Sequence, residues 1–102
     1  MKNKEVQESL RQVGIRLIEE PPLLSPEPMS SPEAAVRVLG EWLSEMDREL
    51  FCVVNLNSNL TPINMNVVSM GALNVAYVHP RDAMKSAILS NAAYICLLYT
   101  SD

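Results

Sequence analysis

The spacing of apolar residues changes along the chain, and each change predicts a new element. Between residues 33 and 46 the apolar positions recur at the spacing of one helix face. They are Ala35, Val36, Leu39, Trp42, Leu43 and Met46. The residues Ser30-Ser31-Pro32-Glu33 precede them, with the hydroxyl cap, early proline and early acid that begin helices. We therefore expect a helix here, anchored on a sheet by Trp42.

From Glu49 the period becomes two, which is typical of a β-strand. Glu49, Phe51, Val53 and Asn55 share one face, and the residues between them share the other. Residues 57–59 are Asn-Ser-Asn, a turn composition, and residues 63–68 alternate again. This pattern predicts a hairpin whose second strand ends in a turn at residues 69–71.

A second helix and a third strand are predicted after residue 79. Pro80 begins the helix, and its apolar face is expected to contain Ala83, Met84, Ala87, Ile88 and Ala92. The continuous apolar run at residues 94–98 indicates a strand buried on both faces at the centre of a sheet. The predicted fold class is α/β, or mixed α+β, in the order helix, hairpin, helix, strand, with a central mixed sheet.

The first 32 residues are predicted to form a separate segment before a domain at residues 33–102. Val6, Leu10, Val13 and Leu17 have helical spacing, whereas Gly14, Ile15 and Ile18 favour an edge strand, so both alternatives stand. Five of the seven prolines lie between residues 21 and 32. They predict an extended strap that acts as a spacer.

The distribution of charged, apolar and cysteine residues argues against some classes of function. Residues 1–49 contain ten acidic and six basic side chains, whereas residues 50–102 contain two of each. No stripe of Lys and Arg is present to follow a phosphate backbone, which argues against nucleic-acid binding. No apolar run is long enough to span a bilayer. Cys52 and Cys96 lie in apolar strands and are expected to be reduced core thiols, so the expected compartment is the cytoplasm.

Several motifs together resemble the RadC-like branch of the JAB/MPN (JAMM) metallopeptidase superfamily. They are a strand that begins at Glu49, Ser69-Met70-Gly71-Ala72-Leu73-Asn74, Pro80-Arg81-Asp82, and Asn91-Ala92-Ala93 before an apolar strand. The resemblance extends from about Pro22 to Leu98. It implies a partial JAB/MPN domain that hydrolyses peptide or isopeptide bonds when intact, with a protein or peptide substrate. The family is historically associated with DNA repair.

The resemblance also implies a zinc site in intact members of the family. Glu49 corresponds to the family's general base; the alternative is a surface carboxylate beside Arg48 at the start of the strand. The two ligand positions of the family's His-x-His motif fall at Tyr99 and Ser101. We therefore expect no zinc site and no activity in this chain. His79, the single histidine, is expected to be a helix cap or a turn residue, because one His without convergent partners binds metal poorly.

Two interpretations of the function stand at this point. The chain is either a fragment of a RadC-like metallohydrolase, ending in a foreign tail after Leu98, or a non-catalytic interaction module (a pseudoenzyme). As a fragment, the chain is expected to be poorly soluble or partly molten, because the apolar strand at residues 94–98 would leave an unpaired edge for intermolecular association.

Overall fold

The computed structural model describes residues 7–46, 50–70 and 79–99, with the backbone alone at residues 69 and 70. The elements are α1 (Pro32–Ser44), β1 (Leu50–Leu56), β2 (Pro62–Met70), α2 (Pro80–Leu89) and β3 (Tyr94–Tyr99). This order confirms the predicted helix, hairpin, helix and strand, and the α+β fold class. Residues 69 and 70 belong to β2, so the predicted turn does not begin at Ser69. Within the described ranges no helix has the length and apolar character needed to cross a membrane.

The three strands form one sheet in the order β2-β1-β3, and both pairs are antiparallel. The mixed sheet expected from the sequence is therefore not formed by the described strands. The central position predicted for residues 94–98 is not found among the described strands, because β1 is the central one of the three and is buried along its whole length. β3 is partly exposed. An apolar sequence predicts that a strand is buried, but it does not show how many strands pair with it, so it could not specify the position of β3 in the sheet.

Helix α1 covers one face of the sheet. Ser31 caps it by accepting a hydrogen bond from the Ala34 backbone N–H at 3.1 Å, which confirms the predicted start. The buried residues of α1 itself are Ala34, Ala35, Val38, Leu39 and Leu43. Val36 and Met46 are exposed, contrary to prediction. The buried face is centred on Ala35 and Leu39, and one helical step moves Val36 about 100° away from Ala35. Trp42 packs on the core as expected.

Helix α2 covers the other face and buries small side chains. Ala83, Ser86 and Ala87 face inward. Met84 and Ile88, which were expected to be buried, are exposed, and Ile88 is 73% exposed. Packing against β1 therefore selects Ser86 over the larger apolar residues beside it.

The segment before α1 contains neither of the predicted alternatives. Residues 7–31 form no helix and no strand, and residues 7–22 are exposed. An isolated amphipathic stretch of this length has nothing to pack its apolar face against, and short helices are marginal in water. The proline-rich part does contact the domain, because Leu23 and Met29 pack against the cluster of Ala35, Leu39, Val54 and Leu56. The proposed boundary between residues 32 and 33 stays a prediction.

Candidate functional site

The start of β1 and the end of β3 lie side by side at one end of the sheet. In the antiparallel register Phe51 is the partner of Tyr99. Their rings are stacked with centroids 6.3 Å apart and an angle of 15° between planes. Tyr99, one of the chain positions that the resemblance relates to catalysis, therefore lies beside the first residues of β1, the strand that follows Glu49 in sequence.

The structure describes only part of that set of residues. Glu49 and Ser101 lie outside the described residues. Tyr99 is described, is 55% exposed, and presents a phenol ring at the position where the resemblance predicts a histidine ligand. A phenol can donate and accept hydrogen bonds, but it is a far weaker ligand for zinc than an imidazole near neutral pH.

The other potential ligands among the described residues are not gathered into a site. His79 is the N-cap of α2, and its Nδ1 accepts a hydrogen bond from the Arg81 backbone N–H at 3.0 Å. This confirms the prediction that His79 is a cap. Within residues 7–46, 50–70 and 79–99 no group of three His, Cys, Asp or Glu side chains could hold a metal ion.

The two thiols are separate and have different surroundings. Both Cys52 and Cys96 are free; Cys52 is buried and Cys96 is partly buried. Burial raises the pKa of the Cys52 thiol to about 11 because the thiolate would lose its hydration. Cys52 is therefore protonated at neutral pH and behaves as a small apolar side chain, as the sequence predicted.

A polar cluster that the sequence analysis missed lies between the sheet and α2. Asn55 is 0% exposed, and its Nδ2 donates to Asn64 Oδ1 at 2.6 Å and to Ser86 Oγ at 3.1 Å. Asn64 Nδ2 in turn donates to Ser90 Oγ at 2.9 Å. The signal was present in the sequence, because an asparagine at an inward position of an apolar strand requires hydrogen-bond partners.

This cluster leaves one buried acceptor without a partner in the described part of the chain. The atom is Asn55 Oδ1. Exchanging the amide oxygen and nitrogen of both asparagines would preserve the chain of hydrogen bonds and leave Asn55 Nδ2 unpaired instead. The cluster therefore fixes the position of α2 by directional bonds, and it contains no ionisable group for proton transfer.

Comparison with known proteins identifies the class to which this fold belongs. The profile of the family described as "RadC-like JAB domain" matches residues 29–101. This range contains all five elements and the corner formed by β1 and β3. The chain belongs to the RadC-like JAB domain family.

Several bacterial proteins that are similar to this chain are named only as UPF0758 proteins. A UPF0758 protein of Desulfitobacterium hafniense (strain DSM 10664 / DCB-2) is 34% identical over 88 residues, which cover 86% of this chain and 38% of the relative. A UPF0758 protein of Caldanaerobacter subterraneus subsp. tengcongensis is 37% identical over 70% of this chain and 30% of its own length. A UPF0758 protein of Photorhabdus laumondii is 38% identical over 70% of this chain and 31% of its own length. The chain thus spans less than two fifths of the curated relatives that it matches.

Proposed function

We propose that intact proteins containing this domain are RadC-like zinc metallohydrolases that cleave peptide or isopeptide bonds. The observation that supports this proposal is the pairing of Phe51 with Tyr99. It places the strand that follows Glu49 beside the strand that ends at the ligand position given by the resemblance. Metal-assisted hydrolysis requires a general base close to a metal-bound water, and residues at the ends of two neighbouring strands are one way to bring these groups together.

The described residues do not themselves fit a zinc ion. A catalytic zinc site uses about three protein ligands from His, Cys, Asp or Glu. Tyr99 offers a phenol, His79 already caps α2, and Cys52 is a protonated core thiol. We therefore assign the described residues the role of a scaffold. In this proposal Glu49 is the general base of the intact protein, as the resemblance implies.

The role of Glu49 can be tested in a chimera. Residues 1–98 are joined to the part of the Desulfitobacterium hafniense relative that begins at the position matching Tyr99, so that the relative supplies both ligand positions. Hydrolysis is assayed on peptide and isopeptide-linked substrates. Glu49→Gln should lower turnover by roughly a hundredfold or more, the scale of losing a general base, with the zinc content unchanged. Glu45→Gln is the matched control, because Glu45 is an exposed carboxylate at the end of α1. Equal activities of the two variants would contradict the role of Glu49.

A second candidate function is a non-catalytic interaction module, and Tyr99 is the observation that favours it. If the 102-residue chain is such a module, equilibrium dialysis against zinc should leave no stoichiometric metal bound after a mild chelator. The Glu49→Gln variant should then behave like the parent chain in every assay. One tightly held equivalent of zinc in the parent chain would contradict this candidate.

A further inference from the structure

The ring of Phe51 is enclosed by side chains from several elements. Phe51 is 4% exposed and forms a core cluster with Val53 and with Ala83 of α2. Val68 of β2 and Ile95 of β3 pack against the same cluster. Neighbours from both adjacent strands and from the helix therefore hold the ring, and all of them lie within the described residues.

Tyr99 is held much more loosely than Phe51. It is the last residue of β3 and is 55% exposed. Among the described residues its aromatic neighbour is Phe51, with the ring centroids 6.3 Å apart and the ring planes at 15°. A side chain has three staggered wells at χ1, and a half-exposed side chain has few neighbours to choose between them. The stack on Phe51 is the contact that favours one of these orientations.

The register of the strands brings position 99 to Phe51 independently of the residue type at that position. Phe51 and Tyr99 form one of six consecutive pairs between β1 and β3, and the series has no shift. Opposed residues of an antiparallel pair point to the same side of the sheet, with Cβ atoms about 4.5–5.5 Å apart. Any flat ring at position 99 therefore emerges beside the enclosed ring of Phe51, where stacking is favourable.

Position 99 is also the first ligand position that the family resemblance implies. A functional side chain must be held near one geometry by neighbours whose own rotamers are locked by packing. Phe51 meets this requirement, because it is enclosed on the α2 side of the sheet and contacts the ring at position 99.

We propose that Phe51 is a positioning residue whose ring fixes the orientation of the side chain at position 99, and thereby that of the first ligand position in the intact protein. The relevance to catalysis rests on the proposed function. The orientation at position 99 is a property of the 102-residue chain and can be measured there without any metal.

Nuclear magnetic resonance of the 102-residue chain tests the orientation directly. The three-bond couplings from Tyr99 Cγ to its own backbone nitrogen and carbonyl carbon report the populations of its χ1 rotamers. The parent chain should show one dominant rotamer. Phe51→Leu should lower the ratio of major to minor rotamers by about 2- to 10-fold, the factor equivalent to the free energy of an aromatic pair. Unchanged couplings in this variant, or a rotamer mixture in the parent chain, would overturn the proposal.

Three further variants separate orientation from general stability. Val53→Ala removes apolar burial from the same cluster, where Val53 is 0% exposed, and should leave the rotamer of Tyr99 unchanged. Phe51→Tyr keeps a flat ring and should retain the dominant rotamer. Tyr99→His should give an imidazole with the same major rotamer as the phenol. Equal loss of orientation in Val53→Ala and Phe51→Leu would show that only the stability of the cluster matters and would overturn the proposal.

The link to the ligand position is tested by zinc affinity in the chimera that carries the relative's sequence from position 99 onward. Phe51→Leu should weaken zinc binding by about 10- to 100-fold, the scale found for residues that orient metal ligands, whereas Val53→Ala should not. Equal zinc affinities of the chimera with and without Phe51→Leu would overturn this link. A chimera that binds no zinc would instead contradict the proposed function, and the couplings of Tyr99 would still decide whether Phe51 orients position 99.

Discussion

The two faces of the central strand are held by different kinds of interaction. Toward α1, Leu50, Cys52, Val54 and Leu56 pack against aliphatic side chains of the helix, with Trp42 beside them. Toward α2, Phe51 and Val53 meet the small residue Ala83, and Asn55 binds Ser86. β1 is therefore apolar along the face that contacts α1, whereas the face that contacts α2 is apolar at Phe51 and Val53 and polar at Asn55.

This difference determines what each helix can tolerate. Apolar burial is roughly proportional to area and has no direction, so α1 can adjust its position slightly without losing much stabilisation. Hydrogen bonds in a buried cluster require particular distances and angles, and an unpaired member costs the free energy of its lost hydration. α2 buries little apolar area, so the polar contacts have more influence on its position.

The largest expected effect is on the α1 face. Leu39 is 1% exposed and lies at the centre of its cluster. Leu39→Ala should lower the free energy of unfolding by about 2–5 kcal/mol, through lost burial and the cavity that remains. The exposed Val36→Ala is the control on the same helix, and urea denaturation measures both. Similar losses for the two variants would show that α1 is not packed as described.

A smaller effect is expected on the α2 face. Asn55→Leu should cost about 1–3 kcal/mol, because it leaves Asn64 Oδ1 and the Ser86 hydroxyl without their donor. The loss should lie toward the low end, because the parent chain already buries Asn55 Oδ1 without a described partner. Ser86→Ala combined with Asn55→Leu should cost less than the sum of the two single variants. Strict additivity in this double-mutant cycle would contradict the coupling of Asn55 to Ser86.

The apolar face was more predictable from the sequence than the polar one. The start of α1, the anchor Trp42 and the two faces of β1 follow from periodicity and capping, which act over a few residues. The strand order could not be predicted, because β1 and β3 both read as apolar and only tertiary pairing decides which is central. The burial of Ser86 in place of Met84 was missed for a related reason. It depends on Asn55, which is 31 residues away in sequence.

In the candidate site too, features set by neighbouring residues were predictable from the sequence, whereas the pairing of distant strands was not. The capping role of His79 and the burial of Cys52 as a free thiol follow from neighbouring residues, and the structure agrees with both. The family resemblance related Glu49 to Tyr99, but no sequence pattern specified that Phe51 would be the partner of Tyr99. That pairing is set by the register of two strands 48 residues apart at this point.

The N-caps of the two helices offer a comparison with smaller effects. Ser31→Ala should lower the free energy of unfolding by about 1 kcal/mol, because the Ala34 N–H loses its acceptor. His79→Ala removes the acceptor of the Arg81 N–H at the start of α2, where the cap is exposed, and a smaller loss is expected. Thermal unfolding of both variants beside Ser30→Ala, an exposed serine just before the cap, measures the difference. A larger effect of His79→Ala would show that α2 depends on its cap more than α1 does.

The smallest effect concerns the proline-rich strap that adds to the α1 face. Arg37 donates to both carboxylate oxygens of Glu27, at 2.7 and 3.4 Å, and this hydrogen bond and charge lower the pKa of Glu27 below its usual value of 4.5. A lowered pKa means that the pair stabilises the folded chain above pH 4.5, and that this contribution is lost as the pH falls through the folded value. The pair is exposed, so Glu27→Gln should change the melting temperature at pH 7 only slightly, and by less at pH 3. Met29→Ala should have the larger effect at both values, because Met29 packs on the core cluster. A Glu27→Gln effect that equals that of Met29→Ala at pH 7 would mean that the charged pair holds the strap as strongly as apolar packing does.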